Sequence, residues 1–162
     1  MFNRIVLILI ITGFINAQDE QKVVLITGTA YGIGKSTAEL LIDKGHIVYG
    51  GDILVEENLY LNDIGGTALE MDVTNQEHID KAINQIISEQ GRVDVLVNNA
   101  GLGVYGAIED VSMEDIYYQY DVNLFGLARV TKAVLPYMRE KESGLIINIS
   151  SVLGCLLYTS PS

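Results

Sequence analysis

The chain has 162 residues, 49% of them apolar and 19% charged, a composition that builds one globular domain with a real core and excludes a disordered protein. Its formal charge of −11, from 10 basic and 21 acidic residues with no basic cluster, argues against electrostatic binding of nucleic acid or anionic lipid. A single cysteine, Cys155, excludes an intrachain disulfide; with His46 and His78 isolated from any partner at ligand spacing, no metal site is expected.

In chain order, residues 1–17 differ in kind from the rest. "MFNRIVLILIITGFINA" has one basic residue, Arg4, an apolar stretch from Ile5 to Ile15, and then Asn16-Ala17 before the polar "QDEQ". This layout predicts a secretory signal peptide cut after Ala17, with an uncleaved anchor and a misassigned start codon as the other readings. The apolar stretch is shorter than the ~20 residues of a membrane span.

From Lys22 onward, strand and helix patterns alternate. "KVVLIT" is a short β-branched run of the kind buried on both faces in parallel sheets. A glycine turn follows, then a helix from Ile33 to Lys44 that stops at Gly45. "HIVYGG" reads as a second strand, "ENLYLND" as a weak helical segment and "GTALEM" as a third strand. Thr74 or Asn75 should cap a helix over 76–90, with Ile79, Ala82, Ile83, Ile86 and Ile87 on one face. "RVDVLVNNAG" predicts a fourth strand running into a turn, and Ser112 begins another helical region. A long helix is expected from about Asp121 to Lys141, kinked or bounded by Pro136, before a fifth strand in "GLIINIS". Strands separated by such helices form βαβ units with right-handed crossovers, hence an α/β fold with a doubly wound parallel sheet.

The turn after the first strand is "TGTAYGIG", with Gly28, Gly32 and Gly34 leading into a helix. A helix start offers unpaired N–H groups and partial positive charge, and glycines let the backbone approach a pyrophosphate. Asp52 ends the second strand, near the ~20-residue distance at which an acid reads ribose hydroxyls and repels a 2′-phosphate. Its neighbour Ile53 and the turn residue Tyr31 offer no cation for that phosphate, so NAD is favoured over NADP.

"TGTAYGIG", Asp72-Val73, "NNAG" (Asn98 to Gly101), "VNLFG" (Val122 to Gly126) and "GLIINISS" (Gly144 to Ser151) occur in the order of one family's motifs. The chain resembles the short-chain dehydrogenases/reductases over residues 22–154. The resemblance implies a Rossmann-like fold and an NAD(P)-dependent oxidoreductase that moves a hydride between cofactor and an alcohol or carbonyl substrate. It implies that Gly28, Gly32, Ile33 and Gly34 line the dinucleotide turn while Asp52 reads the adenosine ribose. Asp72 and Val73 would flank the adenine, and Asn98, Ala100 and Gly101 would close the loop against the cofactor and stabilise the central sheet. Asn123 would help hold a water in the proton relay, and Ser151 would be the substrate-orienting catalytic serine.

The family's acid/base pair, Tyr-x-x-x-Lys on the helix after the serine, is absent. No lysine follows Lys141, and Tyr158, with Ser162 in the lysine position, lies too close to Ser151. The chain is therefore expected to be a fragment, truncated after the fifth strand, with most of a cofactor site and little or no catalysis. "CLLYTSPS", residues 155–162, departs from the family pattern and reads as a non-native tail. The missing helix completes the family's subunit-pairing bundle, so a homo-oligomeric parent is expected and the fragment's own state stays open. Two other readings remain: a non-catalytic NAD-binding or regulatory module, and a nucleotide-sugar epimerase-like relative. The leader favours an exported or membrane-associated product, touching membrane only through residues 1–17, over a cytoplasmic one.

Overall fold

The computed structural model describes residues 20–151. Strands β1 (Val23–Thr27), β2 (Ile47–Asp52), β3 (Thr67–Glu70), β4 (Val95–Asn98) and β5 (Leu145–Asn148) form one sheet of order β3-β2-β1-β4-β5. All four pairings are parallel. The helices are α1 (Gly32–Asp43), two single turns α2 (Val55–Asn58) and α3 (Tyr60–Asp63), α4 (Gln76–Gln90), α5 (Met113–Tyr120) and α6 (Leu127–Glu140).

The unbroken apolar run of β1 follows from its central place, because side chains alternate between two covered faces. Val23 and Leu25 join a cluster with Ile79, Ile83 and Ile86 of α4 and Val130 and Val134 of α6. Val24 and Ile26 join the opposite cluster, with Ala38 of α1 and Leu61 of α3. Helices on both faces of a parallel sheet are the doubly wound arrangement the strand–helix alternation predicts.

The structure chooses between the two expected caps of α4 and moves one helix boundary. Asn75 alone caps α4, its Oδ1 accepting the N–H groups of Glu77 and His78, while Thr74 turns its hydroxyl to Asp72. The expected helix start near Asp121 is interior: α5 runs through a π-helical stretch, Asp121–Gly126, directly into α6. Ser112 is the true cap, accepting the Asp115 N–H at 3.0 Å. Pro136 lies inside α6 and does not end it.

Strand order reverses between β1 and β4, since β2 and β3 lie to one side and β5 to the other. The chain leaves β1 and β4 toward opposite faces, opening a crevice at their carboxyl ends. That crevice positions the site.

Candidate functional site

The glycine turn sits at the carboxyl end of β1, and three tertiary ties hold it. The Gly28 N–H donates to the Gly51 carbonyl of β2 at 2.7 Å. From β4, the Asn99 amide nitrogen donates to the carbonyls of Thr27 and Gly28 at 3.0 and 2.9 Å. The Thr27 hydroxyl oxygen accepts the N–H groups of Asn99 and Ala100, both at 3.0 Å.

A Cβ on Gly34 would run into the Gly28 carbonyl, and one on Gly28, at φ 75°, into Ala100 Cα. These two glycines let the start of α1 lie directly on the strand end. Gly32 is different: its φ is 60°, yet an added Cβ would meet nothing within 4 Å. Its open side faces away from the packed turn. No side chain caps the α1 N-terminus, and its first turn carries no acid. The unpaired N–H groups and positive dipole end are thus left for an anionic ligand.

Asp52 occupies the last position of β2. Its Oδ2 accepts the Ala30 N–H and its Oδ1 the Leu54 N–H, each at 2.9 Å. The carboxylate is held at the rim with one lone pair on each oxygen still open to a hydroxyl donor. Asp72 makes an equivalent turn, its Oδ1 accepting the N–H and hydroxyl of Thr74 at 2.8 and 2.7 Å. Val73 is buried where a Cβ on Gly126 of the π-helical stretch would collide with it.

A cavity of about 410 Å³ has Gly28, Ile33, Asp52, Asp72, Val73, Ala100 and Gly101 in its wall, whereas Gly32 and Gly34 do not line it. A second cavity of about 670 Å³ holds Asn98, Asn123, Ser150 and Ser151 in its wall. Ile33, Asn99, Ala100, Gly101 and Leu102 belong to both, so the two form one cleft across the β1/β4 switch point. Ser151 lies on the second wall and Asp52 on the first. The first wall is concave, carries Gly28 beside a helix start, and presents the Asp52 carboxylate at the end of β2, features a nucleotide would fit.

The structure also shows what the expected residues do mechanically. Asn98 is buried, its Nδ2 donating to Thr131 Oγ1 and Asn148 Oδ1 at 3.0 and 2.9 Å, which ties β4 to α6 and β5. Its Oδ1 is buried with no hydrogen-bond partner among the described residues. Asn123 sits in the π-helical stretch, and both ends of its amide engage Leu102: Nδ2 donates to the carbonyl at 2.8 Å and Oδ1 accepts the N–H at 2.9 Å. The side chain expected to help hold a relay water thus braces the loop between the two cavities. Gln119, one helical turn earlier and fully buried, accepts the Val104 N–H on the same loop. His46 and His78 each accept a backbone N–H, of Lys22 and Asp72. Cys155 and Tyr158 lie outside the described residues.

Three participants escape sequence reading: Asn99, Thr27 and Gln119. Asn99 had a usable signal, since it adjoins Asn98 at a strand end facing the glycine turn. Thr27 and Gln119 had none, because a strand-end threonine and a helical glutamine are ordinary.

The pattern of the family described as "short chain dehydrogenase" matches residues 22–160. The chain is 48% identical to a 3-ketodihydrosphingosine reductase of Bacteroides thetaiotaomicron over 138 residues, covering 85% of this chain and 49% of that protein. It is 39% identical to the 3-oxoacyl-[acyl-carrier-protein] reductase FabG of Thermotoga maritima, covering 88% of this chain and 59% of that one. A short-chain dehydrogenase from Streptomyces avermitilis superposes with a TM-score of 0.75 at 38% identity, covering 82% of this chain and 50% of its own. Aldohexose dehydrogenase of Thermoplasma acidophilum, in ligand-free form, gives 0.72 at 40% identity, covering 82% and 50%. The chain spans about half the length of the relatives it matches. With its glycine turn, switch-point cleft and serine-bearing wall in family order, this chain belongs to the short-chain dehydrogenase family.

Proposed function

We propose that these residues form the cofactor-binding part of an NAD(P)-dependent oxidoreductase that prefers NAD and acts on an alcohol or carbonyl substrate. The observation that carries the preference is Asp52, fixed by the N–H groups of Ala30 and Leu54 at the rim of the first cavity. Held there, its oxygens accept from ribose hydroxyls and repel a 2′-phosphate. The α1 N-terminus and the open side of Gly32 receive the pyrophosphate. Bound nicotinamide supplies or accepts the hydride.

Ser151, on the second cavity wall, orients the substrate oxygen by hydrogen bonding. No Tyr-x-x-x-Lys pair follows it in these residues, so they provide no proton donor of that kind. Leu102, Val104, Leu124, Leu127 and Ile149 give the second wall apolar surface beside its amides and serines, which suits a substrate with an apolar arm. A homo-oligomeric parent and an exported or membrane-associated product belong to the same reading. N-terminal sequencing of the mature protein tests the leader: a start at Gln18 supports cleavage, and an intact Met1 on a soluble cytosolic product overturns it.

The test is a fluorescence titration with NADH and NADPH. NADH should bind at least about tenfold tighter, a difference of roughly 1.4 kcal/mol. Equal or tighter NADPH binding overturns the preference, and no binding of either overturns the cofactor reading.

A further inference from the structure

We propose that Asn58 and Tyr60, on the crossover between β2 and β3, are positioning residues that hold the glycine turn in its ligand-binding shape, a role that rests on the dinucleotide reading above. Neither lines the cleft. Both act on Thr29, the residue after Gly28.

Asn58 is fully buried. Its Oδ1 accepts the Thr29 hydroxyl at 2.8 Å, and its Nδ2 donates to the Gly50 carbonyl at 2.8 Å. One amide thereby bridges the turn to strand β2. The Tyr60 hydroxyl donates to the Thr29 carbonyl at 3.0 Å. Both polar groups that Thr29 can extend toward the crossover are held by it. The next residue, Ala30, gives its N–H to Asp52, which begins the same crossover. Gly50 permits the approach, since a Cβ there would meet the Thr29 hydroxyl and Leu61. Lys35, in the first turn of α1, places its ammonium 4.3 Å from the Tyr60 ring centroid, so the helix start is attached to the same residue.

The physical consequence concerns preorganisation. The turn between β1 and α1 has no secondary structure to set its shape, yet its N–H groups must point at one anion. A free loop would be ordered only on binding, at a cost in affinity. Packing alone does not call for an amide at position 58, because an apolar side chain of similar volume fills a core without hydrogen-bond obligations. What the amide adds is direction: its Oδ1 faces the turn, while its Nδ2 faces the sheet, donating to the Gly50 carbonyl of β2 and, at 3.5 Å, to the Leu69 carbonyl of β3.

The test uses the full chain and three variants: Tyr60→Phe, which keeps the ring beneath Lys35; Thr29→Val, which removes the hydroxyl at constant shape; and Thr29→Ser, which restores it. NADH affinity is read by fluorescence titration, and amide hydrogen exchange is followed at 28–34 and in β4. Tyr60→Phe and Thr29→Val should each weaken NADH by about three- to tenfold, one hydrogen bond's worth. They should speed exchange in the turn but not in β4, and Thr29→Ser should retain both properties. Unchanged affinity in all three variants overturns the proposal alone. Equal acceleration of exchange in turn and β4 also overturns it, because that marks ordinary destabilisation. Failure of the unaltered chain to bind NADH overturns the dinucleotide reading and this proposal with it.

Discussion

Three glycines within one turn meet three different demands, and substitution should separate them. A methyl on Gly34 would strike the Gly28 carbonyl, so Gly34→Ala should cost about 1–3 kcal/mol through overpacking and lower the unfolding temperature. A methyl on Gly32 meets open space, and only its φ of 60° opposes it, at about 1–2 kcal/mol. Gly32→Ala should therefore fold and, with the pyrophosphate proposed at the α1 start, lose NADH affinity; thermal unfolding beside NADH titration checks both. Tyrosines add a pH window. Burial, and then the charges of Glu39 and Asp52, push the Tyr60 hydroxyl up to about 12. Burial first and the bond to Glu89 second also raise Tyr49. A phenol whose folded pKa lies above its unfolded value of 10.0 contributes stability that is fully present below that pH. The contribution is lost as pH rises toward about 12. Denaturant midpoints should fall across that interval, and Tyr60→Phe should flatten part of the fall.

Among the elements, the helix spanning α5, the π-helical stretch and α6 links sheet packing to the cleft. Its α6 part buries Val130, Val134 and Met138 against the sheet, while Asn123 and Gln119 face the loop over 101–104. Widening the helix at Asp121–Gly126 puts Gly126 against Val73 and turns Asn123 onto both polar groups of Leu102. Asn123→Ala removes two bonds to a part-buried backbone and should cost about 1–3 kcal/mol. The Leu102 N–H should then exchange with solvent faster than those of β1, which hydrogen exchange will show. The α4 cap offers a simpler case: Asn75→Ala should cost about 1 kcal/mol by urea denaturation, and Thr74→Val less, since Thr74 does not cap.

For the molecule as a whole, the described sheet ends at β5, and its exposed side is apolar. Leu145 and Ile147 pair in register with Val95 and Val97 of β4, so they extend the sheet face that α1 covers farther in. Leu145, Ile147 and Ile149 are 53%, 39% and 39% exposed, beside a strand edge that is unpaired among the described residues. Such edges recruit other chains. Light scattering of the chain should rise with concentration, and Ile147→Lys should suppress the rise by placing a charge at that edge. A concentration-independent monomer would contradict this.

Local pattern carried the architecture a long way. Continuous apolar strands, helical periodicity over 76–90 and the glycine turn are properties of neighbouring residues, and elementary sterics convert them into parallel βαβ units. The acid at the end of β2 was legible as well, since it closes a locally recognisable strand at a fixed distance from the glycine turn. The start of the long helix was misplaced because a π-helical insertion leaves apolar periodicity nearly intact on both sides. Only folding revealed that Asn99 ties β4 to the turn, that both ends of the Asn123 amide brace Leu102, and that Asn58 and Tyr60 reach Thr29. Each of these bonds joins groups from separate elements, and nothing in a local window encodes which distant carbonyl an amide will face. Sequence alone was enough for the identity of the elements and the cleft's chemical alphabet. The tertiary structure decided which side chains touch ligand space and which hold that space open, because a hydrogen bond depends on where two backbones meet.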